Sequence, residues 1–398
     1  MKTPASIQNF PCPSCGAPME FNPTVGKLKC GYCGATAEIP ETGARVLERS
    51  YTDSLHLDSS RLASLSKTAL EVKCTGCGAN IMFEPSLVAK NCPFCNTGLI
   101  AQPQEASPTV IPEGIIPFQI TGKQARDQIQ QWINSRWFAP SALKHLAQQE
   151  KIQGIYLPFW TYDADTSSDY RGERGEYYYV TETYTVTVTD SEGKQQEEER
   201  TREVRHTRWY PASGRVSRFF DDILIAATKS VHTAYLNGLE PWHLQESLKP
   251  YDSSYLAGFE AQRPQISLEN GFEQAKQIMA IEIDQDVRRD IGGDEQQVDH
   301  ISTRYQDIAF KPILLPVWLC CYCYQNQQYQ VLVNARTGEV QGERPYSQLK
   351  IASAIVAGVG TVAAIILAFT VDWNTVKIPG FPQHQPASQP TQFNPTSD

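Results

Sequence analysis

The sequence lacks the short motifs that announce the commonest catalytic machines. Its 398 residues contain no GxxxxGKS/T, HExxH, GxSxG or GxGxxG, so no phosphate cradle, zinc-protease helix, nucleophile elbow or dinucleotide turn is marked. Gly122-Lys123 is followed by Gln124 and completes no P-loop. Positive charge is also scarce. A net charge of −9 and a pI near 5.4 argue against a protein built mainly to coat nucleic acid. Met1–Phe10 holds no apolar run, so no signal peptide is expected. Histidines such as His145 and His243 stand without a partner pattern.

Cysteine is what the chain does have, and most of it is ordered. Cys12-Pro-Ser-Cys15 and Cys30-Gly-Tyr-Cys33 are followed by Cys74-Thr-Gly-Cys77 and Cys92-Pro-Phe-Cys95. Each cysteine recurs 62 residues later (74 − 12), as do Gly16/Gly78, Ala17/Ala79, Phe21/Phe83 and Pro23/Pro85, which makes an internal duplication. Two residues between cysteines let one tight turn aim both thiolates at a tetrahedral ion about 2.3 Å away. Two structural Zn²⁺ sites are therefore expected, one on Cys12, Cys15, Cys30 and Cys33 and one on Cys74, Cys77, Cys92 and Cys95. With four thiolates each, the sites are closed and should be structural, not catalytic. Metal binding would supply most of each small ribbon's folding energy, about 10–16 kcal/mol. Paired disulfides or a redox CxxC fit poorly, because nothing here looks secreted and no βαβ context surrounds the motif.

The rest reads as an α+β chain. Residues 10–40 and 71–100 form the two ribbons, and the polar, serine-rich stretch 41–70 is expected to link them flexibly. Proline-rich 101–114 is a second linker. A β-rich central domain over 115–350 begins with a helix whose Thr121-x-x-Gln124 forms a capping box. Pro140-Ser141 should open another helix carrying Leu143, Leu146 and Ala147. Tyr177–Thr189 and Gln196–Tyr210 predict a long hairpin around Asp190–Lys194. Arg200, Arg202, His206 and Arg208 would share one of its faces, either meeting anions or pairing across to Glu and Thr. A helix over Ser267–Ile291 is stopped by Gly292-Gly293, and strands follow at Ile313–Tyr324 and Tyr329–Ala335. Leu315-Pro-Val-Trp318 echoes Leu157-Pro-Phe-Trp160, which suggests a second, more diverged duplication.

Asp163-x-Asp165-x-Ser167-x-Asp169 imitates the start of a calcium loop. It has Ser168 where Gly is needed and Arg174 where Glu is needed. Cys320, Cys321 and Cys323 sit in an apolar strand and read as buried thiols.

Ile351–Val371 is 21 residues without a charge, long enough at 1.5 Å per residue to span about 30 Å of hydrocarbon. Arg336, Arg344 and Lys350 precede it and Lys377 follows, so the positive-inside rule keeps residues 1–350 in the cytoplasm. The expected location is the inner membrane, with a single pass and a disordered tail over 372–398.

Several stretches resemble a family. Trp137-Phe-Ala-Pro140, Leu157–Ala164, Tyr170-Arg-Gly-Glu-Arg-Gly175, Phe219-Phe-Asp-Asp222, Arg289–Asp294, Tyr329–Asn334 and Gly342–Tyr346 look like bacterial membrane-anchored double zinc-ribbon (TFIIB-type zinc ribbon) proteins. These are often labelled primosomal protein N-prime or PriA-like helicase. The resemblance implies zinc on the eight cysteines and a membrane location, and it brings no catalytic residue to carry over. A helicase of that type needs a P-loop, which this chain lacks. The function expected is a non-enzymatic, membrane-anchored adaptor that recruits protein partners and touches the bilayer through residues 351–371. Nucleic-acid binding through the ribbons is the alternative. Against it, Glu20 and Glu38 offset Lys27 and Lys29, and Glu71 and Glu84 offset Lys73 and Lys90.

Overall fold

A computed structural model describes residues 10–40, 45–55, 70–74, 79–83, 89–94, 97–100, 111–140, 143, 152–189, 195–325 and 327–356. The chain divides into two units, Met1–Pro345 and Tyr346–Asp398. The first is a β-rich α+β structure. Of the second, residues 346–356 are described, and 348–356 are helical.

The first ribbon comprises β1 (Met19–Asn22), β2 (Lys27–Cys30) and β3 (Thr36–Ala37), joined in that order. Next come β4 (Arg49–Ser50) and the short helix α1 (Tyr51–Leu55). The second ribbon supplies β5 (Leu70–Lys73) paired to β6 (Asn80–Phe83), and β7 (Ala89–Asn91) paired to β8 (Gly98–Ile100). The larger part that follows contains β9 (Gly114–Ile115), α2 (Gly122–Asn134), β10 (Ile152–Thr189), β11 (Gln195–Ala226), α3 (Thr233–Asn237), α4 (Leu244–Ser247), β12 (Lys249–Pro250), β13 (Glu260–Ala261), α5 (Leu268–Ile291), β14 (Glu295–Tyr324), β15 (Gln327–Asn334) and β16 (Val340–Gly342). Its main sheet runs β11-β10-β14-β15-β16.

Both long helices start at side-chain N-caps. Thr121 and Gln124 form a reciprocal capping box on α2, and Ser267 caps α5 through the Asn270 N–H. Helix α5 buries Phe272, Ala275, Met279, Ile283, Val287 and Ile291, a helical stripe laid against Trp160, Tyr162, Phe220 and Phe310. Gly271 is where it comes closest: a Cβ there would lie 2.4 Å from the Tyr162 hydroxyl. Helix α2 lays Ala125, Ile129, Trp132 and Ile133 against Cys320, Tyr322, Val331 and Val333.

The larger part is itself a duplication with its halves interlocked. The first half is β9, α2, β10 and β11; the second is β13, α5, β14 and β15. Strand β13 pairs in parallel with Ile155 and Tyr156 of β10, while β9 pairs in parallel with Ile313 and Leu314 of β14. Both partners lie just before a Leu-Pro-x-Trp motif. The Ala227 N–H donates to Pro158 O (2.9 Å) and the Ala335 N–H to Pro316 O (3.0 Å). Gln265 and Ile266 then donate to Ala227 O as Gln119 and Ile120 donate to Ala335 O. Trp160 Nε1 donates to Ile266 O (3.0 Å) and Trp318 Nε1 to Ile120 O (2.7 Å). Each half thus lends its short strand and helix to the other half's hairpin. Each proline sits where one neighbouring strand gives way to the next, so its missing N–H costs no ladder bond.

Two expectations change. The strand foreseen over Ile313–Tyr324 begins eighteen residues earlier, at Glu295 (313 − 295). Register shifts opposite Arg171/Gly172 and Asp163/Asp165 leave Asp299 and Asp307 as extra residues on β14. The core-facing set, half-buried at Val298, Ile301, Tyr305 and Ile308 and buried at Phe310, therefore switches parity along the strand, and the period of two is broken. The spacer expected to be flexible over 41–70 is docked in its middle: Arg49 and Ser50 pair with Phe310 and Ala309, Arg49 bonds Glu113, and Tyr51 packs on Phe272 and Tyr162. The hairpin stands as expected, though far longer. The helix expected after Pro140 lies outside the described residues, apart from Leu143.

Candidate metal centre

Each first-ribbon cysteine pair sits on the same backbone turn. The Cys12 N–H donates to Ala17 O and the Cys30 N–H to Ala35 O; Gly16 and Gly34 return to Cys12 O and Cys30 O. Gly16 and Gly34 hold φ of 74° and 76°, a left-handed backbone that glycine adopts without penalty. The Ser14 and Cys15 N–H groups point at Cys12 Sγ, and those of Cys33 and Tyr32 at Cys30 Sγ.

The four sulfurs lie within 4.8 Å of one another. Cys12 and Cys33 are 3.4 Å apart and Cys15 and Cys30 are 3.6 Å apart. These gaps are far too long for a disulfide of about 2.05 Å. They suit the edges of a tetrahedron with metal–sulfur bonds of about 2.3 Å, whose edges are about 3.8 Å. The cluster can hold a metal ion. The N–H groups of Cys33 and Tyr32 bring Cys30 down to about 6. At Cys15 the Ala17 N–H acts downward, but the thiols of Cys30, Cys33 and Cys12 outweigh it and push the group up to about 12. Four sulfurs this close cannot all ionise without a cation among them.

The second ribbon repeats the turn. The Cys74 N–H donates to Ala79 O and the Cys92 N–H to Thr97 O, both at 2.8 Å, matching the Cys12 and Cys30 bonds one for one. Cys77 and Cys95, the other two expected ligands, lie outside the described residues.

Neither ribbon hangs free. Cys12, Met19, Phe21, Leu28 and Cys30 share a buried cluster with Ile115, Phe118, Tyr156 and Leu314. The Phe21 N–H donates to Ala257 O, and its ring meets Tyr255 edge-on at 5.3 Å. In the second ribbon Cys74, Ala79, Cys92 and Phe94 join Ile116, Leu157, Trp242 and Leu319. Phe94 O accepts from Gln330 Nε2 (2.7 Å) and from Cys321 Sγ (2.8 Å). The duplicate positions Tyr32 and Phe94 (32 + 62) therefore have opposite fates. Phe94 is 1 % exposed and Tyr32, on the knuckle beside Cys33, is 84 % exposed.

A second polar cluster escaped the sequence. Asp163, Asp221 and Asp222 carry carboxylates within 4.8 Å of one another, but Lys311 stands among them. Its ammonium is 2.7 Å from Asp222, 3.1 Å from Glu48 and 3.7 Å from Asp163. Burial acts to lower the Lys311 pKa, but the hydrogen bond and charge of Asp222 and the charge of Asp163 hold it above its ordinary value. Lys311 supplies the cation, so the cluster is an ion-paired pin that ties the inter-ribbon segment to β14. Asp163, Asp165, Ser167 and Asp169 lie along strand β10, not in a loop. The arginines of the hairpin pair mostly across strands, with Arg202 on Glu182 and Arg208 over Tyr178.

No helix among the described residues is long and apolar enough to cross a membrane. Of Ile351–Val371, only Ile351–Val356 fall within them.

No family model matches the chain, and no solved structure does. It is similar to "Uncharacterized protein YdjG" of Bacillus subtilis strain 168, 25 % identical over 366 residues, covering 91 % of this chain and 97 % of that one.

Proposed function

We propose that the chain is a non-enzymatic, membrane-anchored adaptor whose first ribbon presents a zinc-held knuckle to a protein partner. The observation that carries this reading is the contrast between Tyr32 and Phe94. The ribbons share one knuckle design, yet the second buries its aromatic against β14 and β15 while the first directs its own to solvent. A large exposed aromatic on a rigid metal-clamped turn loses little entropy on binding, and tyrosine is enriched at interface hot spots. The docked spacer and shared core fix the knuckle's place on the duplicated platform. Zinc is favoured for the four-thiolate set, which it occupies in structural sites. The uncharged stretch Ile351–Val371 supports anchoring in the inner membrane, with the ribbons on the cytoplasmic side.

A crosslinked pull-down from membranes tests this, comparing full-length wild type with Tyr32→Ala, which keeps all eight cysteines. The reading predicts that specific proteins captured by wild type are lost from Tyr32→Ala. Loss of nuclease-sensitive material instead would replace it with nucleic-acid binding. An unchanged capture would remove the knuckle from the function.

A further inference from the structure

The strand partners of the long hairpin run out before the hairpin does. Strand β14 begins at Glu295, opposite Gly175, and beyond that point, among the described residues, β10 and β11 continue alone as a two-stranded arm. Glu176–Thr189 is fourteen residues, about 45 Å of extended chain. A lone two-stranded ribbon is marginally stable in water, and this one leaves Tyr178, Tyr179, Val180, Tyr184 and Val188 exposed.

The direction of its backbone groups is fixed at the root. Gly175 O accepts from the Asp294 N–H at 2.9 Å, and the Tyr177 N–H donates to Asp294 Oδ2 at 2.7 Å. From Gly175 to Thr189 the pairing with β11 has no register shift. Tyr179, Thr181, Thr183, Thr185 and Thr187 therefore aim their N–H and C=O groups at the same open side. No strand among the described residues pairs with them there.

The arm's two edges differ. Strand β11 is guarded by Glu197, Glu198, Glu199 and Glu203 and by Pro211, the devices that keep an edge from pairing. Over Tyr177–Thr189, β10 carries a single charge, Glu182, and no proline.

We propose that this edge of β10 pairs antiparallel with the same edge of a second copy of the chain, giving a four-stranded sheet β11-β10-β10-β11 about a twofold axis. The sequence is self-complementary in the register centred on Thr183. Tyr178 then faces the second copy's Val188, Val180 faces Val186, Glu182 faces Tyr184, and Thr181 faces Thr185, with no like charges opposed. The interface is isologous and closes on itself. A polyanion is the poorer occupant. Between Glu176 and Arg208 the described arm has six glutamates to four arginines. Those arginines are engaged within the arm, Arg200 by Glu198, Arg202 by Glu182, Arg205 over Tyr177 and Arg208 over Tyr178.

Sedimentation velocity on the full chain in detergent, over a concentration series, tests this with two proline variants. Thr183 and Thr201 are opposite each other, and both turn their N–H groups away from the arm's own ladder. Thr183→Pro blocks the β10 edge and Thr201→Pro blocks the β11 edge, and neither removes a bond within the arm. Circular dichroism checks that each variant keeps its strand content. The proposal expects a wild-type dimer, loss of the dimer in Thr183→Pro and its retention in Thr201→Pro. Three results would overturn it: a wild type monomeric throughout, a Thr183→Pro that still dimerises, or equal loss in both variants. A monomer that shifts only with added single-stranded DNA or anionic phosphatidylserine vesicles would overturn it in favour of those ligands.

Discussion

Leu157 stands directly opposite Leu315 across the antiparallel pair of β10 and β14, so the two Leu-Pro-x-Trp motifs meet about a pseudo-twofold axis. Both leucines are fully buried, and around them each half of the platform completes the other. The two tryptophan hydrogen bonds, to Ile266 and Ile120, are the same lock made twice.

The equivalence predicts a paired response to mutation. Trp160→Phe and Trp318→Phe should each destabilise the protein by about 1–3 kcal/mol, from a lost hydrogen bond and reduced packing. Trp160→Phe should cost more, because Trp160 is buried and Trp318 half-buried. Chemical denaturation of the two variants checks the ranking. A neutral result at either position would break the equivalence.

The close approach of α5 at Gly271 predicts an overpacked core on substitution. Gly271→Val should destabilise by about 1–3 kcal/mol, since its added atoms meet the Tyr162 hydroxyl and Trp160. The matching place on α2 is Ala125, which already carries a Cβ. There Ala125→Gly should cost only about 1 kcal/mol. Thermal melts of both variants measure the difference.

How much of this was legible in the sequence differs from part to part. The eight-cysteine repeat, the Thr121–Gln124 capping box and the hairpin could be read locally, because spacing, caps and β-branched runs act over a few residues. The first half of β14 could not, since the extra residues Asp299 and Asp307 hide its alternation. Neither could the pin at Lys311, whose partners Glu48, Asp163 and Asp222 come from three distant segments. That Tyr32 is exposed and Phe94 buried depends on what each ribbon packs against, which spacing does not encode. The one visible hint of the duplication was the repeated Leu-Pro-x-Trp.

Arg218 holds Asp286 on α5 through two hydrogen bonds, 2.6 and 2.7 Å, and this contact sets an acid limb. The hydrogen bond from Arg218 holds the Asp286 pKa below the ordinary carboxylate value. The depressed group stabilises the fold above its unfolded value, near pH 4, and this contribution fades as pH falls through the folded value. Asp286→Asn should therefore cost about 1 kcal/mol at pH 7, with Arg218 partly exposed. It should cost little in strong acid. Stability measured against pH in both proteins shows whether the gap closes.

Lys311 predicts a strongly coupled pair of variants. Lys311→Met leaves Asp163 and Asp222 without their cation and should destabilise by about 3–5 kcal/mol. Adding Asp163→Asn should recover part of the loss. A double-variant cycle in denaturant gives the coupling, and simple additivity would contradict the pin.

Metal held by the repeated knuckles as a structural element is read out by the metal content per chain. Mass-spectrometric metal analysis of purified full-length protein should find two zinc ions in wild type. In Cys12→Ser it should find one, because the two ligand sets are separate in sequence. A wild type without bound metal, with its knuckle cysteines in disulfides, would contradict the account. So would a Cys12→Ser protein that retains both ions.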